Sequence, residues 1–198
     1  MSQSLFKPSH YYQSACLFEA ALSVVALVLA WLADINPFAQ LHFAEMALVY
    51  GFFGTIPLFL MFLGLEHLQK SSVQDIKKLL MNSLGAALHR YHWSDLLILA
   101  VIAGFSEELL FRGVIQPWME SAWGMSAGLL VSNLLFGLVH AVTPLYAVLA
   151  TLVGLYLSLS LDYGGERNLL TPIIIHSLYD FLAFVALMRL YRNSLQTP

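Results

Sequence analysis

Apolar stretches long enough to cross a bilayer alternate with short polar connectors along most of the chain. A helix of about 20 apolar residues spans the hydrocarbon core of a membrane. The pattern predicts such spans at residues 15–33, 46–65, 95–119, 125–141, 145–161 and 169–190. Residues 121–161 contain no Asp, Glu, Lys or Arg, and Pro144 divides this run into two spans. We therefore predict an all-α, polytopic membrane helix bundle with about six transmembrane helices.

The strongly polar connector between the second and third spans contains one further predicted helix. Between about residues 72 and 89, apolar residues recur at helical spacing and are interspersed with basic ones. This pattern is typical of an amphipathic helix that lies on an anionic membrane surface.

The distribution of basic residues predicts the orientation of the bundle. One side of the predicted membrane has Lys7, Lys70, Lys77, Lys78, Arg90, Arg189 and Arg192, and the other has Arg167. The positive-inside rule then places both termini and the amphipathic helix on the cytoplasmic side. We expect a multi-pass protein of a prokaryotic inner (plasma) membrane.

Composition supports a membrane protein and excludes some other classes. The chain of 198 residues is 59% hydrophobic and 11% charged, whereas an average soluble domain is about 25% charged. We predict a single integral membrane domain, residues 1–198, with its chemistry in residues 95–190. No basic patch is large enough to bind nucleic acid.

Three charged residues interrupt the third predicted span. Glu107, Glu108 and Arg112 would each cost several kcal/mol in hydrocarbon if left unpaired. Glu108 and Arg112 are four residues apart and can pair on one helix face. Glu107 is rotated by about 100° from Glu108 and faces a different partner. We interpret Glu108 and Arg112 as a supporting pair and Glu107 as a general base; the alternative is a purely structural ion pair near the interface.

Two later spans each contribute further polar residues. His140 ends the fourth span, where it shares a helix face with Asn133 and Phe136. His176 and Asp180 lie one turn apart in the sixth span. Each set has a structural alternative, an interfacial histidine for His140 and a packed hydrogen-bonded pair for His176. Together, a carboxylate and a histidine can activate a water, and a second polar pair can stabilise an oxyanion.

The ordered motifs resemble a known family. Glu107-Glu108-x-x-x-Arg112, Phe136-x-x-x-His140 and His176-x-x-x-Asp180 are similar to the motifs of the CPBP (Abi) intramembrane endopeptidases, which include the type II CAAX prenyl endopeptidases. The resemblance covers about the last hundred residues. It implies a glutamate-dependent protease without a catalytic metal or other cofactor. By the same resemblance Glu107 is the base, assisted by His140, and His176 and Asp180 take the oxyanion-stabilising positions.

Asp180 departs from the commonest pattern, because asparagine is frequent at that place in the family. An ionised carboxylate cannot donate a hydrogen bond to an oxyanion. Asp180 is therefore either protonated or the partner of a protonated His176, and we favour the second interpretation.

Other functions remain open on the sequence alone. His140, His176 and a carboxylate could bind zinc in a membrane hydrolase, and a membrane scaffold or bacteriocin-immunity protein could retain the motifs without turnover. Buried carboxylates and histidines can also relay protons in a transporter, although no inverted repeat is visible. For the protease we expect a membrane-associated protein or peptide as substrate, reached from the lipid bilayer.

Overall fold

The computed structural model describes residues 8–196, and Lys7 lies outside them. Within this range the chain is a bundle of helices without strands, which confirms the all-α prediction. The helices are α1 (Pro8–Ala33), α2 (Glu45–His67), α3 (71–88), α4 (93–123), α5 (Met125–Val139), α6 (Pro144–Ser160) and α7 (Leu170–Gln196).

The helices of the six predicted spans differ in whether they are long enough to cross a membrane. His10–Ala33, Glu45–His67 and Leu170–Gln196 are long and apolar enough to cross a membrane. By contrast, α5 has 15 residues and α6 has 17, so they measure about 22 and 25 Å at 1.5 Å per residue. Both are shorter than the roughly 30 Å hydrocarbon core. Helix α4 extends four residues beyond the predicted end of the third span, to Trp123.

Helices α4 and α7 form the centre of the bundle. Helix α7 packs against α2, α4 and α6, while α4 also contacts α1 along its first half and α5 along its second. At the crossing of α4 and α7, Gly104 faces Ser177 so closely that an added methyl group would lie 2.8 Å from the Ser177 backbone nitrogen. The outward surface of α1 presents large apolar side chains such as Leu17 and Trp31, as expected for a lipid-facing helix.

Helix α3 is the predicted amphipathic helix, and its apolar face packs on the bundle. Val73 and Ile76 are buried, and Leu88 belongs to a core cluster with residues of α4 and α7. The sequence pattern assigned this face to the membrane surface, but a protein surface satisfies the same apolar stripe. Leu79, on the outer side, remains exposed.

Helix α4 contains a π-helical turn at Phe111–Ile115, which begins three residues after Glu108. Such single wider turns inside α-helices occur frequently at functional sites. Here the turn contains Arg112, which follows the two glutamates of the preceding α-helical segment.

Candidate active site

Arg112 lies at the centre of a fully buried polar network. Its guanidinium donates to Glu108 Oε1 at 2.9 Å, to the carbonyl oxygen of Gly154 at 2.6 Å, to Ser158 Oγ at 3.2 Å and to Asn133 Oδ1 at 3.1 Å. The Phe136 ring lies 4.7 Å from the guanidinium carbon and covers one face of it. Arg112 is only 1% exposed, so these partners replace its hydration.

Glu108 connects this network to α7. Its Oε1 accepts from Arg112 and also from His176 Nδ1, at 2.8 Å. A carboxylate beside an arginine has no proton to donate, so Nδ1 of His176 must carry the hydrogen. The Nε2 atom of the same ring is therefore directed away from Glu108.

Glu107 points in a different direction from Glu108 and lies near both histidines. Its Oε2 lies 3.6 Å from His140 Nε2 and 4.0 Å from His176 Nε2. This oxygen is buried and has no hydrogen-bond partner. The two adjacent carboxylates thus have different environments: Glu108 is bonded to a cation, and Glu107 is not.

His140 is held at the end of α5 by its own helix. Its Nδ1 lies 2.8 Å from the carbonyl oxygen of Phe136, and its ring is tilted by 32° against the Phe136 ring, with 4.5 Å between the ring centroids. Because a carbonyl only accepts, Nδ1 carries hydrogen and Nε2 is the atom that faces Glu107. The His140 side chain is 28% exposed, which makes it the most accessible member of the group.

Asp180 completes the arrangement from one turn further along α7. Its Oδ2 lies 3.6 Å from His176 Nε2, and its side chain is 22% exposed. The structure therefore brings together Glu107, His140, His176 and Asp180, which sequence reasoning had placed on three separate helices.

The four side chains line one cavity of about 440 Å³. Its wall is completed by residues of α1, α3, α4, α6 and α7, among them Glu19, Leu84, Ala103, Tyr146 and Phe184. A second, apolar cavity of about 190 Å³ runs between α2, α3, α6 and α7 and shares His140, Tyr146, His176 and Asp180 with the first. The candidate site therefore lies where a polar and an apolar space meet.

Several residues that line the cavity or bind Arg112 were not predicted from the sequence. Ser158 and Gly154 of α6 bind Arg112, but a serine and a glycine in an apolar run give no signal of their own. Glu19 did give a signal, because it is a carboxylate inside the predicted first span, where ionisable residues are costly.

A separate ion cluster lies near the end of α4. Arg167, in the connector between α6 and α7, makes two hydrogen bonds to Glu120 at 2.6 and 3.0 Å and lies 3.4 Å from Asp162. The hydrogen bonds that Arg167 donates to the Glu120 carboxylate raise the pKa of Arg167 above its ordinary value. This cluster ties the connector to α4 and does not contact the cavity.

Comparison with protein families identifies the central part of the chain. A model described as type II CAAX prenyl endopeptidase, Rce1-like, matches residues 89–182. The matched segment is just under half of the chain, and it is similar to the Rce1-like family. The match confirms the family resemblance of the motifs and, with the apolar helices, identifies an integral membrane protein.

The matched segment contains α4 to α6 and the first half of α7. It includes all eight predicted site residues, from Glu107 to Asp180, while α1, α2 and α3 lie outside it. Neither the comparison with curated proteins nor that with solved structures returned a match. At the level of the family, the match supports a CAAX-type membrane endopeptidase.

Proposed function

We propose that this Rce1-like protein is a glutamic-type intramembrane endopeptidase that hydrolyses a peptide bond of a membrane-associated protein or peptide. The observation that carries the proposal is the environment of Glu107. Its unpartnered Oε2 lies 3.6 and 4.0 Å from two imidazole nitrogens at the wall of a 440 Å³ cavity. A carboxylate so placed can accept a proton from a water that occupies the cavity.

In the first step Glu107 removes a proton from that water while His140 Nε2 orients it. The water oxygen forms a bond to the scissile carbonyl carbon, and the carbonyl electron pair moves to oxygen. The proton on Glu107 is then transferred to the leaving nitrogen, the carbon–nitrogen bond breaks, and a carboxylic acid and an amine are released. The Phe136 carbonyl holds the His140 ring in the required orientation.

His176 and Asp180 are proposed to stabilise the oxyanion. Because His176 Nδ1 donates to Glu108, Nε2 can donate to an oxyanion only when the ring is an imidazolium. The carboxylates of Glu108 and Asp180, at 2.8 and 3.6 Å from the two ring nitrogens, balance that positive charge. Asp180 then acts through His176, so its being an aspartate rather than an asparagine is compatible with the chemistry.

Glu108 and Arg112 are proposed to support the site without entering the reaction. Arg112 neutralises Glu108, and Glu108 in turn fixes the ring of His176. Asn133 and Phe136 hold Arg112 in place from α5.

The proposed location is a prokaryotic plasma membrane, with the N-terminal end of α1 on the cytoplasmic side. The positive-inside rule supports this orientation through Lys70, Lys77 and Lys78, beside or within α3, and Arg192 toward the C-terminal end of α7.

Cleavage of a membrane-anchored test peptide by the purified protein in detergent tests the proposal. The wild type, Glu107→Ala, Glu108→Ala and Glu45→Gln are compared with and without a strong chelator; Glu45 is an exposed carboxylate on α2 and serves as the matched control. We expect chelator-resistant cleavage by the wild type and Glu45→Gln, and none by Glu107→Ala.

Two results would contradict the proposal. Cleavage abolished by the chelator and restored by zinc would indicate a zinc hydrolase instead. Failure of the folded wild type to cleave any member of a broad set of membrane-anchored peptides would favour a scaffold or immunity protein.

A further inference from the structure

Glu19 of α1 is the one acidic side chain of the cavity that the proposed reaction does not use. It lies outside the segment that matches the family model. Its side chain lines the cavity together with Glu107 and Asp180, and its Oε2 is buried without a hydrogen-bond partner. It is close enough to both carboxylates to interact with them electrostatically.

The position of Glu19 relative to Glu107 is fixed by two contacts between α1 and α4. Tyr12 Oη donates to the carbonyl oxygen of Asp95 at 3.1 Å, and Ser23 Oγ donates to Ser106 Oγ at 2.9 Å. Both contacts join residues that are 83 positions apart, so the two helices run in parallel and in constant register. Glu19 lies one helical turn before Ser23. Ser106, the hydrogen-bond partner of Ser23, directly precedes Glu107 in the chain.

This register places Glu19 about 7.5 Å along the bundle axis from the level of Glu107, toward the N-terminal ends of both helices. The cavity continues in that direction, where it is lined by Tyr11, Ser14 and Ala15 of α1 and Leu99 of α4. A peptide whose scissile bond lies at Glu107 would pass Glu19 as it extends toward this end.

The charges that face the cavity favour a cationic group. Three carboxylates, Glu19, Glu107 and Asp180, line it together with the two imidazoles, and Lys and Arg are absent from the wall among the described residues. Glu107 is 8% exposed and its Oε2 has no hydrogen-bond partner. His140 and His176 lie 3.6 and 4.0 Å from Glu107 Oε2. Among residues 8–196, Glu19 Oε2 has no hydrogen-bond partner.

We propose that Glu19 is a specificity-determining residue that binds a lysine or arginine side chain of the substrate near the scissile bond. The proposal rests on the proposed endopeptidase function and narrows its substrate class to peptides with a basic residue. A cationic side chain would form an ion pair with Glu19. Its positive charge would reduce the electrostatic repulsion between Glu19 and the carboxylates of Glu107 and Asp180.

Binding of non-hydrolysable, acyl-anchored peptides to the purified full chain in neutral detergent at low salt tests this proposal. One series places lysine at each position in turn, a second replaces it with N-acetyl-lysine, and a third with glutamate. We expect the wild type to bind the best lysine peptide about tenfold more tightly than its acetylated match, as for a partly desolvated charge pair.

Substitutions at Glu19 separate recognition from a structural role. Glu19→Gln should abolish the preference, Glu19→Asp should retain part of it, and Glu19→Lys should reverse it toward the glutamate series. Glu45→Gln, as the matched control, should leave it unchanged. Unfolding curves establish that each variant is folded.

The proposal is overturned if the wild type binds all three peptide series with equal affinity or binds none of them. It is also overturned if the lysine preference survives in Glu19→Gln. A lysine preference that is removed by Asp180→Asn but not by Glu19→Gln would likewise overturn it. Because these measurements need no turnover, they separate failure of this proposal from failure of the endopeptidase function. A wild-type protein that cleaves membrane-anchored peptides but shows no lysine preference would refute the role of Glu19 and leave the endopeptidase function standing.

Discussion

Arg112→Met is expected to destabilise the protein strongly, because it removes the cation from the buried network. The substitution leaves Glu108, which is 0% exposed, without its cationic partner at 2.9 Å. The Gly154 carbonyl and Asn133 Oδ1 also lose the donors at 2.6 and 3.1 Å. Breaking a buried ion pair by removing one partner costs about 3–5 kcal/mol, so we expect a loss of that size.

A double variant shows how much of this loss is due to the unpaired charge. In Glu108→Gln/Arg112→Met the uncompensated carboxylate is gone. The Gly154 carbonyl still lacks the arginine donor, and Asn133 Oδ1 retains only the Ser158 hydroxyl, at 3.2 Å. Unsatisfied buried groups cost about 1–3 kcal/mol, and we expect the double variant to be more stable than Arg112→Met by about 2 kcal/mol.

Titration with SDS in mixed micelles, followed by tryptophan fluorescence, measures these differences in the free energy of unfolding. Arg90→Met, at an exposed arginine outside the network, is the control and should change stability by less than about 0.5 kcal/mol. The reasoning is refuted if Arg112→Met unfolds within about 1 kcal/mol of the wild type, or if the double variant is no more stable than the single one.

Three further predictions concern the crossing of α4 and α7, the connector and His140. Gly104→Ala should destabilise the protein by about 1–3 kcal/mol in the same titration, because its methyl group would displace Ser177; a neutral result would contradict the close crossing. Arg167→Gln should cost about 1 kcal/mol or less and leave the cleavage rate unchanged, because Glu120 lies about 20 Å along α4 from the catalytic glutamate; a slower rate would link the connector to the reaction. His140→Ala should lower the cleavage rate by about 10²–10⁴-fold in a folded protein, and a rate near wild type would remove His140 from the mechanism.

The helices could be predicted from the sequence because their signal is local. Apolar runs and the break at Pro144 determine where α1 to α7 lie, and the fold class followed from them. The fourth predicted span, residues 125–141, is two residues longer than α5, which already ends at Val139. Helix α6 has the predicted length but begins one residue earlier, where Thr143 Oγ1 accepts a hydrogen bond from the Tyr146 nitrogen. An apolar run does not reveal where a cap interrupts it.

The polar residues of the site could be identified from the sequence, but their contacts could not. The sequence places Glu107, His140 and His176 on three different spans and gives no distances between them. In the structure, Nε2 of each histidine lies within 4.0 Å of Glu107 Oε2. Helix α4 also contains a π-helical turn, which could not be predicted from the hydrophobic periodicity of the sequence. The Gly154 carbonyl could not be predicted as a ligand of Arg112, because every residue has a carbonyl and only the packing selects one.

Unlike the Gly154 carbonyl, Glu19 could have been predicted as a site residue, because it is an ionisable side chain within an apolar span. A carboxylate within an apolar span is as informative in α1 as in α4. The resemblance to known motifs drew attention to the segment that contains them, whereas α1 contributes to the same cavity from outside that segment.

The rate of peptide cleavage by Glu107→Gln, measured on protein shown to be folded, tests the central claim most directly. The amide keeps the shape of the side chain but cannot accept a proton, and the carboxylate it replaces has no hydrogen-bond partner on Oε2. We predict a rate at least about 10²-fold below wild type, with the free energy of unfolding within about 1 kcal/mol of the wild-type value. A folded Glu107→Gln protein that cleaves at more than about a tenth of the wild-type rate would contradict Glu107 as the base.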